Sequence, residues 1–156
     1  MVKSAELYET DFWLWTQEQA ARLRRTAELR PNLPEALDWS NLAQAIEDQG
    51  VSLELELYHR YVVLLAHLLK WRYQWRLQGP SWRGTINEQR RRIKRLLKKN
   101  PALRARRAVE FVDAFEDARA LASDETGLPP EAFPAECPFT LEQIEDHDFL
   151  PSAPES

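Results

Sequence analysis

Glu47, Glu56, His59 and His67 are the residues of this chain whose types and spacing could do chemistry. Glu56-x-x-His59 has the spacing at which one helix supplies a carboxylate and an imidazole to a di-iron centre. Such a centre needs two of these pairs and two further carboxylates, and the chain has one pair, so no metal is expected. There is no His-Glu-x-x-His, no Cys-x-x-Cys, no glycine-rich phosphate loop and no nucleophile elbow. Cys137, the single cysteine, follows Glu136 in an acidic stretch, which is expected to raise its thiol pKa and blunt it as a nucleophile. No catalytic residue and no cofactor is therefore assigned. The enzyme reading reduces to Glu47, Glu56 and His67 gathered around a cleft within hydrogen-bond reach.

The second chemical resource is charge. The net charge is −4, but the layout is uneven. Residues 1–82 hold 9 basic and 11 acidic side chains, residues 83–107 hold 11 basic and one acidic, Glu88, and residues 108–156 hold one basic, Arg119, and 13 acidic. Arg95, Lys98, Lys99, Arg104, Arg106 and Arg107 should gather near one tip where two helices meet at Asn100-Pro101. Basic residues at a helix start, and Asp124-Glu125 at the end of the same helix, oppose its dipole. Such charges answer to something outside their own helix: either the acidic C-terminal third or an external anion such as nucleic acid. A pI near 5.5 argues against a dedicated nucleic-acid binder, whose domain is usually basic. Trp71-Arg72, Trp75-Arg76 and Trp82-Arg83 resemble stacking surfaces interleaved with cations. Trp71 and Trp75 are four apart on one helical face, however, and Trp82 begins an apolar stripe, so core packing is the stronger reading.

These residues are positioned by helices. The chain is 156 residues long, 44% apolar and 29% charged, enough for one domain with a sizeable core. Residues 1–9 read as a frayed lead-in. Thr10 or Asp11 can cap a first helix that ends before Pro31, and Asp38 a short second one that Gly50 stops, since glycine accepts the left-handed position past a helix end. Ser52 caps a long helix over about 52–78, ended by Gly79-Pro80. Ser81 caps a fourth helix. Asn100-Pro101 opens a fifth, which ends at Gly127. Pro129, Pro130, Pro134 and Pro138 make an extended strap, and Thr140-x-x-Gln143 caps a short last helix.

The long helix organises the rest. Its middle, Tyr61 to Leu69, is apolar except for His67. At about 100° per residue, Glu56, Arg60, Val63, His67, Lys70 and Gln74 fall on one line. The helix is thus a buried rod with one narrow polar seam, which either faces water and neighbouring helices or lines a cleft with Glu47.

The ordered motifs carry a resemblance. Tyr8-Glu9-Thr10-Asp11-Phe12 with Trp15, Asn41-Leu42-Ala43 with Ile46-Glu47, and His67-Leu68-Leu69-Lys70-Trp71 are similar to domain-of-unknown-function family 29. So are Ser81-Trp82, Thr85-Ile86 with Glu88-Gln89-Arg90, Ala118-Arg119, Glu125-Thr126-Gly127-Leu128, Phe133-Pro134, Cys137-Pro138 and Phe149-Leu150-Pro151. The resemblance runs over about residues 8–151. It implies a small, almost entirely helical bacterial protein and implies no activity. Gln44-Ala45-Ile46-Glu47 stands where the family has an acidic run, and Leu53 and Tyr58 stand where acidic residues are usual, which weakens any site built on clustered carboxylates.

The expectation is an all-α, single-domain bundle of about five helices around the central helix, with a proline-rich strap and a short last helix. The ordered core should span about 8–151, with 152–156 disordered. The expected role is a non-catalytic binding module for a protein partner or a second copy, with nucleic-acid binding at the basic tip as the alternative. The N-terminus lacks an apolar signal-peptide core, no segment approaches the ~20 apolar residues of a membrane span, and a lone cysteine permits no intrachain disulfide. A cytoplasmic location and no membrane partner are expected.

Overall fold

The structure, a computed structural model, describes residues 3–30 and 32–155. Every regular element among them is helical, with no strand. In order they are α1 (Ser4–Thr10), α2 (Phe12–Leu29), α3 (Trp39–Tyr73), α4 (Pro80–Lys99), α5 (Arg107–Thr126) and α6 (Leu141–Glu145), with 3-10 turns at Trp75–Leu77, Pro101–Arg106 and Pro130–Ala132. The chain is all-α with a long central helix, as its periodicity requires. It forms two compact units, Met1–Leu55 with Leu97–Ala105, and Glu56–Leu96 with Arg106–Ser156.

In the first unit the lead-in is helical: α1 occupies Ser4–Thr10. Its Tyr8 ring packs edge-on against Phe12 at 5.3 Å and Trp15 at 5.0 Å, tertiary contacts that a composition reading does not register. Residues 1 and 2 of that lead-in, the Pro31 stop and Ser156 of the tail lie outside the described residues. Asp11 caps α2 and is 6% exposed. Its carboxylate accepts from the backbone N–H of Leu14 at 3.1 Å and of Ala102 at 2.7 Å. The Asn100 amide oxygen accepts from Trp13 N–H at 3.0 Å. Three buried donors around the two turns are thereby satisfied. Asp38 caps α3, its carboxylate accepting from Asn41 N–H at 3.1 Å.

Gly50 does not stop a helix. α3 runs through it from Trp39 to Tyr73 as one rod. The glycine is buried, and a Cβ there would lie 3.1 Å from Gln17 Nε2, 3.3 Å from Thr16 Cβ and closer still to Thr16 Oγ1. It is needed for the close passage of α2, not for a left-handed cap. Ser52, expected as a cap, donates back to Gln49 O at 2.6 Å in mid-helix.

In the second unit, Leu57, Tyr61, Leu64, Leu65, Leu68 and Leu69 of α3 are fully buried, each contributing about 1.5–3 kcal/mol on removal from water. Ile86 and Ile93 of α4, Ala114, Phe115, Ala118 and Ala122 of α5, and Phe133, Phe139 and Ile144 of the strap complete the core. α3 ends at Tyr73, short of the expected 78, and Gln78 Nε2 satisfies its Trp71 carbonyl at 2.8 Å. α4 begins at Pro80 rather than after Ser81, with Pro in the first turn, where its missing N–H costs nothing. The chain after Asn100 first makes the 3-10 turn, so α5 starts at Arg107. Gly127, φ 74°, ends α5 in the left-handed region. Thr140 and Gln143 exchange capping bonds of 3.1 and 3.0 Å around the start of α6. Residues 152–155 are exposed without regular structure.

Candidate functional site

The polar seam of α3 runs through the second unit from Glu56 to Lys70. Gln74 falls past the helix end. Glu56 reaches Arg60 at 3.8 Å across one turn, and Arg60 Nη1 lies 3.5 Å from Gln89 Oε1 on α4. Deeper in, His67 is 9% and Lys70 4% exposed. His67 Nδ1 lies 2.8 Å from the Val63 carbonyl, so Nδ1 carries the proton and donates. Nε2 then presents its lone pair to the Lys70 ammonium at 3.4 Å. That ammonium donates to Glu125 at 2.5 Å and lies 5.0 Å from the centre of the Trp82 ring. Burial depresses the His67 pKa; the Val63 carbonyl raises it in part, and the Lys70 charge lowers it further. His67 is therefore a neutral acceptor that helps solvate a buried cation.

Glu125, which opposes the α5 dipole, thus has its partner on α3. Arg107, which does so at the other end, donates through Nε to Glu145 of α6 at 3.0 Å and forms a second bond through Nη2. The Tyr61 hydroxyl joins that carboxylate at 3.5 Å. Burial first, then the Glu145 charge, push the Tyr61 phenol up, while the hydrogen bond to Glu145 raises Arg107. Arg106 pairs with Glu110 of its own helix at 2.8 Å. Sequence reasoning missed Arg90. It is 5% exposed, and its guanidinium donates to the carbonyls of Ile144 at 2.8 Å and of His147 and Gln143 at 3.4 Å. Burial lowers its pKa against the opposing fields of Asp146 and Asp148. Arg90 lies on the α4 stripe among core residues, and that was the available signal.

The other candidates are distributed. Glu47, in the first unit, is held by Arg24 at 2.8 Å. Glu56 and His67 sit eleven positions apart on one helix, roughly 16 Å along its axis at 1.5 Å per residue, so they form no acid–base pair. Lys98, Lys99 and Arg104 of the first unit and Arg95 of the second are exposed, and among the described residues no salt bridge engages them. Trp71 is buried, with Arg83 5.7 Å from its ring. Trp75 is 48% exposed, contrary to the core reading, because α3 ends at Tyr73 and Trp75 leaves the helical stripe on a 3-10 turn. Its ring carries Arg76 at 5.1 Å, and Leu77 beside it is 62% exposed. Cys137 donates to the Phe139 carbonyl at 3.4 Å, and burial, not its acidic neighbour, raises its pKa. Among the described residues no group of three or more His, Cys, Asp or Glu could hold a metal ion, and no helix is long and apolar enough to cross a membrane.

A family model described as domain of unknown function DUF29 matches residues 7–150. A crystal structure of an alpha-helical protein of unknown function from Rhodospirillum rubrum is similar, with a TM-score of 0.67 and 27% identity over 91% of this chain and 90% of that one. No curated protein matches.

Proposed function

The chain belongs to the DUF29 family, and we propose that it is a non-catalytic helical binding module that contacts a protein partner or a second copy of itself. The observation that carries this reading is the Trp75-Arg76-Leu77 turn, where a tryptophan 48% exposed and a leucine 62% exposed flank a stacked arginine. Tryptophan and arginine dominate the energetic centres of protein interfaces, because each combines a large contact area with a directional polar group. The buried end of the α3 seam supports the same reading from the other side: His67, Lys70 and Glu125 are engaged with one another, which leaves little polar capacity for a substrate.

The test is Trp75→Ser with Leu77→Ser. Sedimentation across a concentration series, together with crosslinked affinity capture from the native cell, is run on wild type and variant. Loss of a wild-type dimer, or loss of one defined captured protein that rebinds as purified wild-type complex, is the expected result. A wild type that stays monomeric and captures the same proteins as the variant overturns the reading.

A further inference from the structure

We propose that the outward face of α4 in the second unit binds the phosphate backbone of duplex DNA. Arg91, Lys94 and Arg95 are exposed there, and no salt bridge among the described residues engages them. The single carboxylate between residues 83 and 107, Glu88, is taken by Arg92 at 2.8 Å. Arg91 and Arg95 are one turn apart, a like-charge spacing that destabilises a helix. An ordinary solvated face interleaves both signs; this one does not, and an anion placed against it relieves the repulsion.

The chemistry of the face selects the partner. Every large apolar side chain exposed by more than 40% lies outside α4. A protein interface has an apolar centre, so a cation-only face fits a polyanion better than a protein. Single-stranded nucleic acid is held by stacking its bases on aromatic rings, and α4 exposes none. Duplex DNA needs no ring: its backbone presents about one charge per 1.7 Å, and cations gain by releasing its condensed counterions. Two of the three cations are arginines, whose planar fork matches a phosphate with two parallel hydrogen bonds. Nothing on this face reads base edges, so the binding is independent of sequence and weak at physiological salt. It also uses side chains separate from the Trp75 turn, so either surface can exist without the other.

The experiment is fluorescence anisotropy of a labelled random-sequence DNA duplex titrated with the full chain over a series of low salt concentrations. A single strand of the same length, an RNA duplex and a poly-glutamate peptide are the comparators. The triple variant Arg91→Gln, Lys94→Gln, Arg95→Gln should flatten the slope of log K against log salt by about 2.7, from about 0.9 for each phosphate released. Arg91→Lys with Arg95→Lys, which keeps the charge, should retain most of the binding, as should Arg25→Gln with Arg30→Gln on an unrelated surface. Absence of duplex binding at the lowest salt, an unchanged slope in the triple variant, or tighter binding of the peptide, the single strand or the RNA duplex each overturns the proposal.

Discussion

Gly50→Ala is the sharpest test of the packing in the first unit. In an unencumbered helix interior this change stabilises by about 1 kcal/mol, since alanine loses less backbone entropy on folding. Here the new methyl meets Thr16 Cβ at 3.3 Å and Gln17 Nε2 at 3.1 Å, and meets Thr16 Oγ1 inside van der Waals contact. Gln17 is the end of a flexible side chain and can yield. Thr16 cannot: it is fully buried, and its hydroxyl donates to the Trp13 carbonyl at 2.6 Å. Either the hydroxyl turns into packed atoms or α2 and α3 separate, and overpacking of this kind costs about 1–3 kcal/mol. Net destabilisation of roughly 1–2 kcal/mol follows once the propensity gain of about 1 kcal/mol is set against it. The assay is urea unfolding followed by circular dichroism, in a cycle with Thr16→Ala. Removing Oγ1 should expose the propensity gain, so Gly50→Ala becomes neutral or stabilising in that background, with a coupling of about 1–3 kcal/mol. A stabilising Gly50→Ala in the wild type, or the same effect in both backgrounds, would refute the close-approach argument.

In the second unit, Arg90→Met keeps the volume but strands the carbonyls of Gln143, Ile144 and His147, so a loss of about 2–4 kcal/mol is expected. Hydrogen exchange should quicken across residues 139–150, with Arg90→Lys restoring only part of the protection. Lys70→Met should lie within about 1 kcal/mol of wild type, because removing the buried ammonium also removes its desolvation cost. Glu125→Gln should cost more in urea unfolding than Lys70→Met, since it leaves that ammonium without its carboxylate, though the 40% exposure of the Glu125 side chain moderates the loss. His67 makes stability depend on pH. Its pKa is depressed in the fold, so the unfolded chain binds more protons between the folded pKa and about 6.5. Stability is then full above about 6.5 and falls as pH drops through that window. Urea midpoints against pH should show a shallower fall in His67→Gln.

Signals within a few residues of each other were legible in the sequence. Asp38, Thr140 with Gln143, and Gly127 terminate helices where their types require, because a cap is a local bond. Gly50 was not legible, since a glycine that accepts a left-handed turn and a glycine that admits a neighbouring helix look alike until Thr16 is placed beside it. Trp75 was misread for a related reason: its spacing from Trp71 means a shared face only while the helix continues, and the helix stops at Tyr73. The dipole-opposing charges at the ends of α5 were visible as anomalies. Their partners, Lys70 for Glu125 and Glu145 for Arg107, belong to other elements, and only the fold supplies those.

Arg90, Arg107 and Arg95 show why bulk charge is a poor guide to the surface of this chain. All three come from one basic run, yet Arg90 spends its charge on strap carbonyls, Arg107 spends its charge on a strap carboxylate, and Arg95 faces water. The acidic pI counts all of them against carboxylates, some of which, such as Glu145 and Glu125, are engaged inside the second unit. An approaching anion meets the field of the face it reaches, within a screening distance of about 8–10 Å. The face with Arg91, Lys94 and Arg95 is therefore cationic on a chain whose total is negative. Changing those three residues should alter anion binding while leaving the strap, and the stability that Arg90 and Arg107 supply to it, untouched.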